Sequence, residues 1–596
     1  MCILMTDRMG YFMCGIAGFL GNEGEGLPVV LEALHKMIHR GPDNLETKED
    51  GEAVLGAVRL SIRDKREKAH QPFISFTGRW VITFNGELNN HDSLRTMLGV
   101  DYSWRTESDT ETIATALDAK GWSVLTKLQG MFAIAAWDTL TKTLYLTRDF
   151  PGIKPLYWAE TKAGSFIYAS EFQTICGMLR NLKEPLTISS HKVVEYMMYR
   201  DTLLEPETLI NSIKKISPGE IIAFNTGMKP KCLHLFEHIP NPSGSLDELE
   251  EKFITAIKSN IEPNQKMGMF LSGGVDSSTV LAELVHQGAN IEAFSLRYKQ
   301  TGAYSYSEIP FSRHVCKKLS VPLHELELTE KRFMEVLPTA LSRQDGFSMD
   351  PTIVAYHELG AAAAKENIRI VVTGTGSDEI FGSYEWLHSE TINHFDQWMR
   401  PATMPHFIRI DPLLWDKVQH KSFLKRKGLI ENFQQQGFSL PESIRLFGLF
   451  HLEADALPRM DLGTMASSVE CRVPLLDQEF VSTALSAPPD TEKNIFRSLG
   501  INRIPTEILN RPKCGFPHPV FVWAKHGELA NSIHDLLSEG QFSEFINQDH
   551  LKGFFKDESS LLVNKPSAYL YDSASSLWYL FSFALWCDIN KLKIDI

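Results

Sequence analysis

The chain has 596 residues, 43% of them hydrophobic and 22% charged, with a formal net charge of −14, so it is long enough for two or more domains with separate cores. The acidic balance, without a cluster of lysines and arginines, excludes a nucleic-acid-binding surface, and no stretch is apolar for long enough to span a bilayer, which reads as a cytoplasmic protein with no membrane partner. Eight cysteines without a C-x-x-C pair exclude a disulfide framework and a zinc site.

In chain order, the first informative stretch is 13–19, Met-Cys-Gly-Ile-Ala-Gly-Phe, a short apolar strand that begins with Cys14. A helix with Leu31, Leu34, Met37 and Ile38 on one face leads to the polar turn His39-Arg40-Gly41-Pro42-Asp43. Arg59 leaves a further strand, and Asn85-Gly86-Glu87 follows a strand at 80–84. Ser108 starts a helix that carries Asp109, with Glu111 in capping-box position. Singly, these are a packing cysteine, a turn and a solvated Arg59/Asp109 pair. Residues 130–138 and 144–149 read as a hairpin of buried strands, continued at 152–157 and 168–171, where Lys154 and Glu171 have structural or interface roles. Residues 239–245, rich in Pro, Asn, Ser and Gly, form a linker.

The second half, from 246, opens on a helix and reaches an apolar strand at 267–271. The loop Leu271, Ser272, Gly273, Gly274, Val275, Asp276, Ser277, Ser278 follows, and Val280, Leu281, Leu284 and Val285 then recur at helical spacing. A strand, a Ser/Gly loop and a helix start make a phosphate site, because glycines let the backbone approach an oxyanion and the free amides point at it. Asp276 would repel a phosphate unless a divalent cation lay between them, which implies Mg²⁺. The loop lacks the lysine of the G-x-x-x-x-G-K-[ST] motif, so γ-phosphoryl transfer is not indicated. A strand at 292–296 ends at Leu296, beside the base of a nucleotide if the sheet is doubly wound. A strand at 368–372 runs into Thr373-Gly374-Thr375-Gly376-Ser377-Asp378-Glu379, a second glycine-rich corner suited to a nucleotide, a magnesium ion at Asp378, or both. Residues 461–477 and Arg511-Pro512-Lys513-Cys514-Gly515-Phe516 complete the pattern, whereas the tail after Asn531 is weakly patterned.

The 271–278 loop resembles the pyrophosphate loop of N-type ATP pyrophosphatases. Cys14, 39–43, Arg59, 85–87 and Asp109 resemble the N-terminal-nucleophile glutaminase domain of class II amidotransferases. Together, from Met13 to Trp586, the chain resembles the glutamine-hydrolysing asparagine synthetase family. The resemblance implies an α/β protein with an αββα sandwich over 14–238, the linker at 239–245 and a doubly wound parallel-sheet ATP pyrophosphatase domain over 246–596. It implies that Cys14 attacks glutamine with its own α-amine as base, that Asn85 and the Gly86 amide form the oxyanion hole, and that Arg59, Glu87 and Asp109 hold the amino-acid head. ATP and pyrophosphate are assigned to 271–274, 276–278, Leu296, Thr373 and Gly374, magnesium to Asp276 and Asp378, and the departing pyrophosphate to Lys513. The partners implied are glutamine, ATP and a carboxylic acid acceptor, with aspartate favoured; a homodimer is compatible with this reading. The ammonia would cross an internal channel. The alternatives are a relative that amidates another carboxylate and an inactive nucleotide-sensing regulator. The sequence departs from the family twice. Twelve residues precede Met13, which leads us to expect translation to start there so that Cys14 becomes the first residue, with proteolytic maturation and an inactive glutaminase that uses free ammonia as the alternatives. Thr375 also stands where such synthetases commonly carry an acid.

Overall fold

The computed structural model describes residues 14–595 apart from 23, 42, 100–101, 200–205, 235–243, 300–306, 347–348, 390, 399–403, 489, 491, 513–517 and 558–567. Met13, Lys513 and most of the linker reading fall outside these residues.

Every residue of Gly15–Leu20 is buried, as a strand covered on both faces must be, and it pairs antiparallel with Ala53–Arg59 on one side and Phe166–Ala169 on the other. These belong to a six-stranded sheet, ordered Ile213–Lys215, Tyr157–Glu160, Phe166–Ala169, Gly15–Leu20, Ala53–Arg59, Asn44–Asp50. A second sheet runs Lys231–His234, Ile221–Phe224, Thr143–Arg148, Gly130–Asp138, Trp80–Leu88, Phe73–Ile74. Strand parity divides the cores. Ile16, Leu20, Leu55 and Ala57 pack between the sheets against Val81, Ala133, Ala135 and Trp137. The opposite parity of the first sheet, Ala17, Phe19, Val54 and Val58, shares a core with helices Gly26–Lys36 and Phe172–Asn181, and Ile82, Phe84 and Ile134 of the second share one with helix Asp109–Lys120. The result is the helix–sheet–sheet–helix sandwich. Ser108 caps its helix by accepting from Thr110 N, but Glu111 accepts from Thr106 N instead of closing a capping box.

Beyond helix Leu246–Ser259 comes a sheet of five parallel strands, ordered Leu323–Leu328, Ile291–Tyr298, Met267–Phe270, Ile370–Val372, Glu470–Arg472. The chain steps outward from the central strand twice and then returns to its other side. The order therefore reverses between Met267–Phe270 and Ile370–Val372, and a crevice opens beyond their carboxyl ends. The edge strand Glu470–Arg472 carries part of a stretch recognisable in the sequence only as a motif.

The two halves are packed together. Helix Ala568–Ile589 buries Trp578 and Trp586 completely, and Trp586 packs on Phe172 of the sandwich while its indole N–H donates to Gln344 O at 3.0 Å. The short strand Lys593–Asp595 then pairs in parallel with Thr187–Ser189 of the sandwich half. A tail that looks weakly patterned in sequence is thus a core element shared by both halves. Among the described residues no helix is long and apolar enough to cross a membrane.

Candidate functional sites

A cavity of about 440 Å³ occupies the crevice where the strand order reverses. The two corners foreseen in the sequence meet there: Leu271, Ser272, Asp276 and Ser277 line it from one side, Thr373, Gly374, Thr375, Gly376, Asp378 and Glu379 from the other, and Leu296 from the neighbouring strand. Close backbone contact requires the glycines. Gly273 sits at φ +71°, where a Cβ would come within 2.6 Å of Ser312 N, and a Cβ on Gly374 would lie 2.8 Å from Ser277 N. Gly273, Gly274 and Ser278 are not on the cavity wall. Gly273 O accepts from Arg511 at 3.2 Å, Gly274 N donates to Ser272 Oγ at 3.2 Å, and Ser278 is buried in its helix.

Asp276 and Asp378 converge on one point, which Lys493 Nζ occupies at 2.7 Å from both Asp276 oxygens and from Asp378 Oδ1. Burial works against the ammonium, yet the two carboxylates hold Lys493 above its ordinary pKa. Lys493 was invisible in the sequence: it is a single lysine with φ +53° just ahead of helix Asn494–Gly500, far along the chain from both acids. Two convergent carboxylates at the mouth of a phosphate loop are the hard oxygen donors that Mg²⁺ takes together with nucleotide oxygens, so the residues fit that ion. Among the described residues, the one group of three metal-capable side chains is Glu292, His324 and Glu366, at the opposite end of the sheet, where Lys266 already neutralises Glu292 at 2.8 Å.

The far wall of the cavity holds residues that the sequence reading missed. Arg459 is paired with Asp350 at 2.6 Å and Asp455 at 2.7 Å, and Glu308 accepts from Arg511 at 2.9 Å. Burial pushes Glu308 up to about 7 against the pull of Arg511. Thr375 Oγ1 donates to the Met460 thioether at 3.3 Å and accepts from Thr373 Oγ1 at 3.2 Å. Asp455 and Arg459 share the i, i+4 spacing of one helix, but Asp350, Glu308 and Arg511 come from other elements, and the sequence carries no signal that joins them to that pair.

A second, much smaller pocket of about 30 Å³ lies at the edge of the sandwich, lined among others by Cys14, Arg59, Gly86, Glu87, Asp109 and Glu470. The Cys14 thiol, half-buried, faces Leu60 O at 3.8 Å, and burial pushes its pKa up to about 11. Arg59 and Asp109 are both buried and are not a solvated pair. Arg59 donates to Ser61 Oγ at 3.0 Å and Asp64 O at 2.5 Å, while Asp109 accepts from Leu88 N at 3.3 Å and Thr110 N at 3.0 Å. Asn85 and Gly86 lie within strand Trp80–Leu88, opposite Ala133 and Phe132, not in a turn after it. Gly86 has φ +152°, and a Cβ there would stand 2.0 Å from Met131 O, so only glycine continues this strand. Asn85 is behind the pocket wall, donating to Ser170 Oγ at 3.5 Å, and the same oxygen accepts from Ile16 N at 3.0 Å. Glu87 lines the pocket but is engaged by Arg63 and, at 3.5 Å, by Arg472 from the other half.

A thiol pocket in a four-layer sandwich, joined to a nucleotide crevice in a doubly wound sheet, is the layout of a glutamine-dependent amide ligase. Comparison with known proteins agrees: residues 13–233 match the model of the glutamine amidotransferase domain and 248–588 that of asparagine synthase. The chain belongs to the asparagine synthase family. It is 25% identical to asparagine synthetase [glutamine-hydrolyzing] 1 of Bacillus subtilis (strain 168), over 98% of this chain and 97% of that one. It is 26% identical to a putative asparagine synthetase of Mycobacterium tuberculosis (strain ATCC 25618 / H37Rv), over 96% and 97%, and 25% identical to asparagine synthetase B of Escherichia coli (strain K12), over 84% and 81%.

Two substitutions separate the sites. Gly86→Ala should abolish glutamine-driven amide formation and leave ammonia-driven formation near wild type, because the clash is confined to the sandwich. Lys493→Met should do the reverse to the chemistry, lowering pyrophosphate release about 100-fold or more with either nitrogen source while glutamine hydrolysis persists. Parallel assays of glutamate and pyrophosphate check both.

Proposed function

We propose that this enzyme activates a carboxylic acid as its acyl-adenylate, releases pyrophosphate, and converts the adenylate to an amide with ammonia drawn from glutamine. The observation that carries this reading is the cavity in which the lysine-free loop 271–278 and the corner 373–379 face each other with Asp276 and Asp378 converging. Ser272, Ser277 and the loop amides would bind the leaving phosphates, Thr373 and Gly374 would flank them, and Leu296 would pack beside the adenine. Lys493, together with Lys513, would meet the negative charge that builds as pyrophosphate leaves. Asp276 and Asp378 would hold Mg²⁺, which when bound offsets phosphate charge; Lys493 would then shift from the carboxylates to the phosphates.

In the sandwich, Cys14 would attack the glutamine side-chain amide. A thiol whose pKa is pushed up to about 11 is protonated at neutral pH and needs a base. The α-amine of Cys14, freed by removal of the preceding residues, has an ordinary pKa of about 8 and suits that task. The Gly86 amide and the Asn85 side chain would stabilise the oxyanion. Arg59, a buried guanidinium that among the described residues donates to a hydroxyl and a carbonyl, would take the glutamine α-carboxylate, and Asp109 its α-amine. Glu87, already engaged by two guanidiniums, would fix the shape of the pocket.

The acceptor we favour is aspartate. Thr375 supports a second reading, a different carboxylic acid, because a hydroxyl bonded to a thioether cannot act as a base near neutral pH. Glu379 or Asp378, both on the cavity wall, would then cover that role.

Purified protein supplied with ATP, Mg²⁺ and glutamine, and in turn with aspartate and other acids, tests the proposal: AMP, pyrophosphate and an amide are expected, and stoichiometric ADP and phosphate would overturn it. Cys14→Ala should lose glutamine-driven synthesis and keep the ammonia-driven reaction, and the active wild type should begin at Cys14 by intact mass. With aspartate as acceptor, Thr375→Glu should change asparagine formation by less than about tenfold, since a neighbouring carboxylate, Glu379 or Asp378, would already supply the base. A gain on the scale of full general-base help, about 10²–10⁴-fold, would instead identify another acid as the substrate.

A further inference from the structure

Helix Ala456–Met465 touches both sites. At its carboxyl end Met465, fully buried, packs with Leu60, Ile62 and Cys14. At its amino end Arg459 lines the nucleotide cavity and Met460 receives the Thr375 hydroxyl. A rise of about 1.5 Å per residue puts only about 8 Å of helix between Met460 and Met465. The strand Glu470–Arg472 packs against this helix and repeats the arrangement: Glu470 lines the thiol pocket, while Arg472 O accepts from Thr373 N at 3.0 Å. One helix and one strand of the synthetase half therefore wall both sites.

What fastens that wall to the sandwich is Asp461, between Met460 and Met465. Its carboxylate accepts from Arg40 Nη2 at 2.8 Å and from Lys154 Nζ at 3.1 Å. All three side chains are buried, and both cations belong to the sandwich half. Arg40 also donates through Nε to Cys14 O at 3.1 Å and through Nη1 to Glu171 at 3.2 Å, so the clamp reaches the nucleophile's own backbone. Asp461 thus supplies a buried counter-charge to two buried cations, Arg40 keeping Glu171 besides, and removing one partner of such a buried pair loosens the contact that it holds.

We propose that Asp461 is a positioning residue which, clamped by Arg40 and Lys154, keeps the seam between the two sites closed and so delivers ammonia from Cys14 to the adenylate without loss to water. This rests on the two-site reaction proposed above. Ammonia that escapes into water at neutral pH is protonated and ceases to be a nucleophile, so a leak appears as glutamate formed without amide.

The test measures glutamate, amide and pyrophosphate in one reaction of the full-length protein, with aspartate as the probe acid, or with the acid that releases pyrophosphate in the acceptor panel if aspartate does not. Wild type should form about one glutamate per amide. Asp461→Asn should raise that ratio severalfold while ammonia-driven synthesis stays at the wild-type rate; a residue with a merely structural role would lower both reactions together. Lys154→Met should leak in the same way and decides the matter if Asp461→Asn does not fold, and Lys154→Arg should restore tight coupling. An unchanged ratio in variants with intact ammonia-driven synthesis, or a parallel fall of both reactions in both variants, overturns the proposal. A wild type that releases no pyrophosphate with any acid would sink the underlying reaction; a wild type that releases it and couples loosely would sink the coupling device alone.

Discussion

Buried charge pairing between the two halves is the constraint on which this structure depends. In the most deeply buried of these pairs the sandwich contributes the cations and the synthetase half the carboxylates, with Glu87 and Arg472 paired the other way round. Beside the Arg40–Asp461–Lys154 clamp, Glu453 accepts from Arg148 at 2.8 Å and from Lys215 at 3.2 Å, and Asp345 pairs with Lys215 at 3.0 Å while accepting from Tyr157 at 2.8 Å. Each of these groups is buried, so each is costly unless its partner is in place. Such pairs add little net stability compared with an apolar contact, but they penalise every misaligned docking. The halves are thereby held in one relative position, which a reaction that hands ammonia from one site to another requires.

The clamps also explain why the sites are built so differently. The nucleotide cavity is made largely from backbone: two strand-to-helix corners that glycines allow to approach each other, with acids placed at their mouths. The thiol pocket is made from buried side chains whose orientation is set by the strands behind them. Asn85 is tied to Ser170, and Ser170 to the strand that follows Cys14 through Ile16 N. Glu87, on the same strand, reaches across to Arg472, whose own strand borders Thr373. A short run of residues thus carries rigid contact from one site to the other.

The sequence by itself determined whatever is local. Residues 271–278 and 373–379 could be read as strand-to-helix phosphate corners, because the turn, the amides and the glycine requirement are properties of a few consecutive residues. The burial of the sandwich strands was legible for the same reason. Tertiary structure decided what depends on distant partners. Lys493 meets Asp276 across 217 residues, and Asp461 meets Lys154 across 307. Asp350 reaches the Asp455–Arg459 pair, itself spaced i, i+4, only when separate elements pack. Asn85 and Gly86 read as a turn because Asn-Gly usually is one, and only pairing with 132–133 makes them part of a strand. The tail after Asn531 carries no clear period because its helix is covered on several sides by both halves. A charge or ring whose partner lies hundreds of residues away leaves no pattern along the chain, and its role exists only once the fold has supplied that partner.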